Sequence, residues 1–370
     1  MRVLQIVPDL SNDDGITNVL MKYLRSFDKK KIIYDFMCFS SDPDNNRKNY
    51  FKAEIEAMGG KVFYISSPLN PISFFKEWRE FCSNNYGNYD FLENNLVFLG
   101  AFFKNAKKLL GVSKVITHSH VTKFGDSFIS NIRNKTFYYM TGAILGDVLF
   151  SSSKLAGKEM FRKKINEKPW FVVNNAFNVE EYKFNMGKRS FIRDKMNWNN
   201  KFVIGHVGRF TSQKNHKFII KLYKRYLSFN QNSILVLVGD GKLKPKIESY
   251  VNRKNLQNNV FFLGIRNDIP TLLQGFDLFL FPSKFEGLGL SVVEAQIAGL
   301  PCLISDRVPE EADISGCSIL SLNDTMNAWL HELIILQNEK RLTNGSQLAK
   351  KYGFDICIES ERLYRIYKNR

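Results

Sequence analysis

Little in this chain invites a covalent cross-link or a membrane span. Its 370 residues hold five cysteines (Cys38, Cys82, Cys302, Cys317 and Cys357). They are odd in number and form no CxxC pair, which argues against a secreted disulfide framework; most sit in or beside apolar stretches and read as buried thiols in a reducing compartment. No apolar run approaches the roughly 18 residues of a transmembrane helix. The opening MRVLQIVP has too short an apolar stretch for a signal-peptide core and reads as a strand. Low-complexity tracts, short internal repeats and a GxGxxG fingerprint are missing as well, so a nicotinamide or flavin site is poorly supported. Acidic residues are scarce beside basic ones: 36 Asp+Glu against 53 Lys+Arg leave a net charge of +17. That excess is spread over both halves of the chain and forms no basic tail. It suits anionic partners (phosphates, an acidic membrane surface, nucleic acid) or a merely solvated basic surface.

What is present is alternation. Strand-like runs at 2–8, 32–39, 61–66, 114–119, 147–151 and 170–174 are separated by segments of helical period at 16–27, 50–58, 72–83, 95–110 and 154–165. After a polar stretch near 178–200 the pattern restarts, with strand runs at 202–207, 233–238, 259–263, 277–281 and 301–304. The runs are nearly continuous and rich in β-branched and aromatic residues, as a parallel sheet covered on both faces requires. Two βαβ series predict an α/β protein of two facing doubly wound domains. The expected divisions are 1–178, 179–353 and a last helical stretch, 354–370, that crosses back to the first domain. Ligands of such sheets bind beyond the carboxyl ends of the strands.

The most informative segment is FPSKFEGLGLSVVEAQIAGLP, residues 281–301. A strand ends, a glycine-bearing loop follows, and a helix opens near Leu288-Gly289-Leu290, where free N–H groups favour a phosphate. Glu286 lies in the loop and Glu294 about one turn into the helix. Their carboxylates either accept hydrogen bonds from sugar and ribose hydroxyls, or cap the backbone and face solvent. This segment resembles the E-x7-E signature of the retaining GT-B glycosyltransferases of family 4, especially the branch that builds bacterial capsule, O-antigen and exopolysaccharide.

Other segments agree with that resemblance. GHVGRF followed by QKNH resembles the family's G-R-x4-K-N element, which implies that Arg209 and Lys214 neutralise a donor diphosphate. Read alone, the two are simply surface cations. Val238-Gly239-Asp240-Gly241 is a strand and a tight turn, which in the family borders the nucleotide. The loop 262–270 resembles the one that contacts the base, with Arg266 either stacking there or solvated. In the first half, Asp14-Gly15-Ile16-Thr17 occupies the place of a Gly-Gly pair that touches the donor phosphate. Gly15 keeps the close approach, whereas Asp14 departs from the pattern and either caps the helix or faces the acceptor. His118-Ser119-His120 closes a strand, and His120 matches a histidine that hydrogen-bonds the donor sugar. A third ligand is not evident, so a metal site is not expected there. Where many relatives carry a further His pair, this chain reads DFLENN, residues 90–95, and Glu93 is expected to face the ligand. Segment 96–110, with Lys104, Lys107 and Lys108, is either a helix packed on the sheet or a membrane-surface element.

The resemblance implies a GT-B fold with a cleft between the domains and retaining transfer from a nucleotide-sugar, UDP-linked, to a glycan or polyprenyl-diphosphate-linked acceptor. Fixed cations would take the place of a metal, so no cofactor is expected. Asp42-Pro43-Asp44, the lone Asp-x-Asp, reads as a turn. Glu294 would hold the ribose and Glu286 the sugar hydroxyls, within an oxocarbenium-like ion pair in which Glu286 need not be a nucleophile. The expected location is cytoplasmic, with peripheral contact at the inner face of the plasma membrane. Two competing classes stand beside it. A nucleotide-sugar 2-epimerase of similar fold would convert its donor without an acceptor. A nucleic-acid-binding protein would need a concentrated basic surface and a recognised motif.

Overall fold

The computed structural model describes residues 1–11, 14–28, 31–39, 49–68, 70–120 and 128–369. Asp42-Pro43-Asp44 and the polar loop Val121-Thr122-Lys123 lie outside them. The chain divides into two compact units, Met1–Phe177 with Ile356–Arg370, and Asn178–Asp355.

The first unit runs β1 (Arg2–Val7), α1 (Gly15–Ser26), β2 (Ile33–Phe39), α2 (Lys52–Ala57), β3 (Val62–Ile65), α3 (Pro71–Asn84), β4 (Phe91–Asn94), α4 (Ala106–Leu110), β5 (Lys114–Ser119), α5 (Phe128–Met140), β6 (Val148–Ser151), α6 (Lys154–Phe161) and β7 (Trp170–Val172). Its seven strands are parallel in the order β3-β2-β1-β4-β5-β6-β7. The order reverses at β1, which pairs with β2 through Val3 and Tyr34 and with β4 through Val3 and Phe91. β1 is buried on both faces, as its nearly continuous apolar run, broken only by the buried Gln5, requires. One face carries Val3, Val7, Leu20, Tyr34 and Phe36; the other carries Leu4, Ile6, Phe74, Trp78 and Phe103.

The second unit begins with α7 (Val179–Tyr182) and α8 (Met186–Lys195), inside the stretch that reads as polar. It continues β8 (Phe202–Val207), α9 (His216–Phe229), β9 (Ser233–Val238), α10 (Lys244–Arg253), β10 (Val260–Phe262), α11 (Ile269–Gly275), β11 (Leu278–Phe281), α12 (Leu290–Ile297), β12 (Cys302–Ser305), β13 (Ser318–Leu320), α13 (Met326–Leu336) and α14 (Gly345–Lys351). The sheet is parallel, in the order β10-β9-β8-β11-β12-β13, and reverses between β8 and β11. Aliphatic and aromatic side chains of α9, α10 and α13 cover one face.

The last helix, α15 (Ile356–Lys368), returns to the first unit. Ile356 N–H donates to Phe177 O at 2.8 Å, and Ile356, Leu363 and Tyr367 join the core around β1.

One local reading of the sequence is corrected here. The helix expected over 95–110 is a 3-10 turn, Val97–Phe103, then α4. Gly100 sits so close to Ile144 that a Cβ would lie 2.0 Å from its carbonyl oxygen, and the tighter winding keeps that approach. Within the segment Val97, Leu99, Phe103, Ala106 and Leu110 are buried, Leu96, Phe98, Ala101, Phe102 and Leu109 are half-buried, and Lys104, Lys107 and Lys108 are exposed. Most of the thiols are buried as expected: Cys38, Cys82 and Cys302 are inside, Cys317 is half-buried and Cys357 is exposed. All five are free. Among the described residues, no helix is long and apolar enough to cross a membrane.

Candidate active site

In the second unit the loops that leave β8, β9 and β10 are tied into one row. Gly208 N–H donates to Val238 O at 2.9 Å, Phe210 N–H to Asp240 O at 2.8 Å, and Gly239 N–H to Gly264 O at 2.8 Å. Gly239 has φ +130°, and a Cβ there would lie 2.3 Å from Gly208 O. Only glycine fits this crossing. The same row places Arg209 beyond β8 and the 240–243 turn beyond β9.

The E-x7-E loop leaves β11, the strand next to β8. It is held against the β8 loop by three bonds: Lys284 N–H to Gln213 O at 2.8 Å, Gln213 Nε2 to Phe285 O at 2.9 Å, and Asn215 Nδ2 to Pro282 O at 3.1 Å. The result is one charged cluster from two motifs 72 residues apart. Lys214 Nζ donates to Glu286 Oε1 at 2.8 Å, with side-chain exposures of 14% and 7%, and lies 4.4 Å from the centre of the Phe281 ring. Burial pulls the Lys214 ammonium below its ordinary pKa; Glu286 opposes this, Arg209 adds to it, and Glu294 opposes it. Arg209, Glu286 and Glu294 thus all act electrostatically on Lys214, at the reversal of strand order.

Glu294 sits in the second turn of α12. Its Oε1 accepts from Tyr182 Oη at 3.0 Å. Burial and the Glu294 carboxylate raise the Tyr182 pKa far above that of an ordinary phenol, so Tyr182 stays a donor. α12 opens at Gly289 (φ +88°) without a side-chain cap; Val292 N–H donates to Gly289 O at 2.8 Å, and no side chain takes the N–H groups of Leu290 and Ser291. Leu288 is buried beneath that start, and Leu290 is its first helical residue.

Two further residues expected near the nucleotide are engaged locally. Asp240 is exposed; its Oδ1 accepts from Gly241 N–H at 2.6 Å, and its Oδ2 lies 3.8 Å from Lys244. Arg266 is half-buried and paired within its own loop. Its guanidinium makes a bidentate pair with Asp268, at 2.8 and 2.6 Å. The loop's point of contact with the row is instead the backbone of Gly264.

Gly15 and His120 belong to the first unit. Asp14 caps α1: its Oδ2 accepts from Thr17 N–H at 2.7 Å. Burial raises its pKa while that bond opposes the rise. Gly15 is exposed, and a Cβ there would meet nothing within 4 Å. At the end of β5, His118 and His120 do share a face, with ring centres 3.9 Å apart. His120 Nε2 lies 2.8 Å from Asn95 Oδ1, and Asn95 Nδ2 donates to Gln5 Oε1 at 2.8 Å. This sense of the network makes His120 Nε2 a donor and Nδ1 an acceptor. Burial and the neighbouring His118 ring hold the His120 pKa well below its ordinary value, which keeps it neutral.

Glu93 does not face a ligand. It is 1% exposed and is consumed by the interior: Oε1 lies 2.7 Å from His118 Nδ1, and Oε2 accepts from Gln5 Nε2 at 3.1 Å and from Tyr367 Oη. A carboxylate so far inside must be fully bonded. Tyr367, from α15, is therefore the residue through which the crossing helix reaches the histidine pair. Sequence reasoning missed it, along with Tyr182, because their partners are remote in the chain and no local motif marks them; Gln213 and Asn95 lie inside the QKNH and DFLENN segments, where nothing local gives them a role. Among the described residues, no three His, Cys, Asp or Glu side chains gather as a metal site.

A family model described as "Glycosyl transferases group 1" matches residues 188–316. EpsF of Bacillus subtilis (strain 168), a protein named as a glycosyltransferase, is 31% identical over 351 residues, 89% of this chain and 85% of EpsF. The UDP-Gal:alpha-D-GlcNAc-diphosphoundecaprenol alpha-1,3-galactosyltransferase of Escherichia coli is 24% identical over 384 residues, 98% of this chain and 95% of that enzyme. Among solved structures, Anabaena Alr3699/HepE in complex with UDP and glucose superposes with a TM-score of 0.76 at 17% identity, covering 100% of both chains. That likeness shows the fold, two Rossmann-like domains of GT-B type. With the charged cluster at the strand ends, the match to EpsF along most of both chains places the protein among the group 1 glycosyltransferases, the family to which this chain belongs.

Proposed function

We propose that the enzyme is a retaining glycosyltransferase of family 4. It moves a hexosyl group from a UDP-linked donor to a glycan or polyprenyl-diphosphate-linked acceptor in surface-polysaccharide assembly, without a metal ion. The observation that carries this reading is the Lys214–Glu286 pair, with Arg209 and Glu294 acting on it. A buried ammonium beside a carboxylate suits a substrate that brings a diphosphate and sugar hydroxyls together. Lys214 and Arg209 meet the phosphate oxygens, which releases one Glu286 oxygen to accept from the sugar. Glu294, oriented by Tyr182, accepts from the ribose. The first-turn N–H groups of α12 add donors where charge develops. Gly239 and the backbone of Gly264 let the nucleotide approach closely; Asp240 borders it. In the first unit, Gly15 admits the donor phosphate to the backbone at the start of α1. His120 accepts at Nδ1 from a hydroxyl of the donor sugar.

The bond from the anomeric carbon to the UDP oxygen breaks with its electron pair leaving on UDP. The acceptor oxygen attacks from the same face and passes its proton to the departing phosphate oxygen. Fixed cations stabilise the leaving charge at no reorganisation cost. The E. coli relative's name, with its UDP-Gal donor and diphosphoundecaprenol-linked acceptor, supports the substrate classes proposed. Acceptors of that kind also favour a cytoplasmic enzyme working at the inner membrane face.

The test is calorimetry at fixed salt with UDP, GDP, ADP and a panel of UDP-sugars, on wild type and Glu294→Ala. Selective UDP binding that the variant loses is expected. A folded wild type that binds no nucleotide overturns the reading. Activity that survives EDTA is expected, and a large loss would remove the metal-free part.

A further inference from the structure

The second unit holds a second basic feature that the site above does not use. A cavity of about 230 Å³ is bounded by Thr211, Ser212 and the first residues of α9, by one face of α10, and by Lys284. Arg209, Glu286, Glu294 and Gly239 do not line it. Four cations do: Lys217, Lys246, Arg253 and Lys284, with no carboxylate among the lining residues. Among the described residues these four make no ion pair, although Lys244, on the same helix as Lys246, does reach Asp240. Lys217 Nζ and Arg253 Cζ instead lie 5.6 and 5.8 Å from the centre of the Tyr250 ring. Lys246, Tyr250 and Arg253 recur at steps of four and three, which puts them on one side of α10. Gathering four like charges about one hollow is unfavourable unless something answers them.

The floor of the hollow is unfinished in the same sense. Thr211 Oγ1 is buried without a hydrogen-bond partner, and so are both ring nitrogens of His216, a residue 2% exposed that stacks on Phe210 at 4.0 Å. Burial and the Lys214 charge lower the His216 pKa to about 4, so the ring is neutral and offers one N–H. Buried polar atoms are seldom left unbonded.

We infer that this cavity is a second anion site, which takes a phosphate monoester group carried on a small molecule or a lipid. The four cations supply charge, Tyr250 holds two of them in place, and the Thr211 hydroxyl, the His216 ring and the first turn of α9 supply donors. The backbone from Thr211 to Lys217 also carries Lys214, so an anion here bears on the segment that positions the first site's cation. The inference does not depend on the proposed transferase chemistry, because none of its cations is used there.

The experiment is calorimetric titration of the full chain, with and without saturating UDP. The probes are inorganic phosphate and glucose 6-phosphate, with flotation on phosphatidylcholine vesicles with and without phosphatidic acid as a separate arm. The variant is Lys246→Gln/Arg253→Gln; both side chains are exposed, so folding is expected to survive, and circular dichroism checks it. Saturable binding that persists under UDP and weakens at least about tenfold in the variant is expected, as two lost charge-assisted bonds imply. Binding of the soluble probes assigns a free phosphorylated ligand; binding only to phosphatidic acid vesicles assigns a lipid. If no probe binds, or if binding is unchanged in the variant, the inference is overturned. Phosphate displaced by UDP and indifferent to the variant would belong to Arg209 and Lys214, which overturns it too. If UDP itself fails to bind, the transferase reading fails while the comparison of wild type with variant still decides this one.

Discussion

Lys214 Nζ is shared between the Glu286 carboxylate, 2.8 Å away, and the face of Phe281, 4.4 Å from its ring centre. An ammonium so placed is charged, oriented and short of water, which is the condition for electrostatic stabilisation of a leaving diphosphate. Lys214→Ala is expected to lower kcat by about two to three orders of magnitude. Because burial depresses the Lys214 pKa, the alkaline limb of the kcat/KM profile is expected below the ordinary lysine range. Lys214→Arg should move that limb upward, since a guanidinium does not titrate there. A full pH profile of both variants checks the assignment; an alkaline limb that stays put would give it to another group.

Tyr182 is a positioning residue for Glu294, bonded to it at 3.0 Å. Tyr182→Phe removes one hydrogen bond to a charged group, about 1.5–3 kcal/mol. The expected result is UDP affinity weakened by roughly ten- to a hundredfold, with little further loss when Glu294→Ala is added. Additive losses in the double-variant cycle would mean that the two residues act separately.

The two glycines should behave differently. Gly239→Ala drives a Cβ into the Gly208 carbonyl and should displace the backbone beside Arg209, abolishing UDP binding. Gly15→Ala meets no protein atom. Its thermal midpoint should stay within a degree or so of wild type, and any loss in KM for the donor would report close approach by substrate rather than a packing fault.

Tyr367 donates to a carboxylate that is 1% exposed. Tyr367→Phe leaves Glu93 one donor short and is expected to destabilise the first unit by about 1.5–3 kcal/mol in urea unfolding. Glu93→Gln, which keeps a bond to Tyr367, should cost less than Glu93→Ala. Equal losses would mean that the bond Gln keeps to Tyr367 contributes nothing and that the interior requires the Glu93 carboxylate itself.

His216 links acid and stability. Its pKa is about 4 in the fold, against 6.5 for an ordinary histidine. The unfolded chain therefore binds the extra proton first. The stabilisation is whole above pH 6.5 and drains away as pH falls toward 4, to a limit of about 3 kcal/mol. His216→Phe, which keeps a ring on Phe210, should show a smaller drop in thermal midpoint between pH 7 and pH 4. Identical drops in both proteins would show that other groups, such as buried His206, carry the acid sensitivity.

Much of the architecture could be read before any coordinates, because parallel strands buried on both faces leave unbroken apolar runs. The exceptions have local causes. β4 carries Glu93 and Asn94 inside the protein, and β13 is an edge strand with Ile319 exposed, so neither looks like a core run. α7 and α8 read as polar because most of their surface is wet. At the site, Glu286 and Glu294 were legible because loop and helix start are adjacent in sequence. The Tyr182 contact spans 112 residues, and the Glu93–Tyr367 contact 274. Such contacts are decided by topology, which no short window of sequence contains. Glu93 misled for a related reason: a carboxylate at a strand end looks available until the crossing helix is seen to claim it.

The return of the chain at Ile356 also sets an order of events during synthesis. The second unit, Asn178–Asp355, is contiguous and precedes α15 in the order of synthesis. The first unit begins earlier yet cannot close its core until Leu363 and Tyr367 emerge. On a nascent chain the later half is therefore able to finish first, while the earlier half waits for α15 with part of its apolar sheet face uncovered.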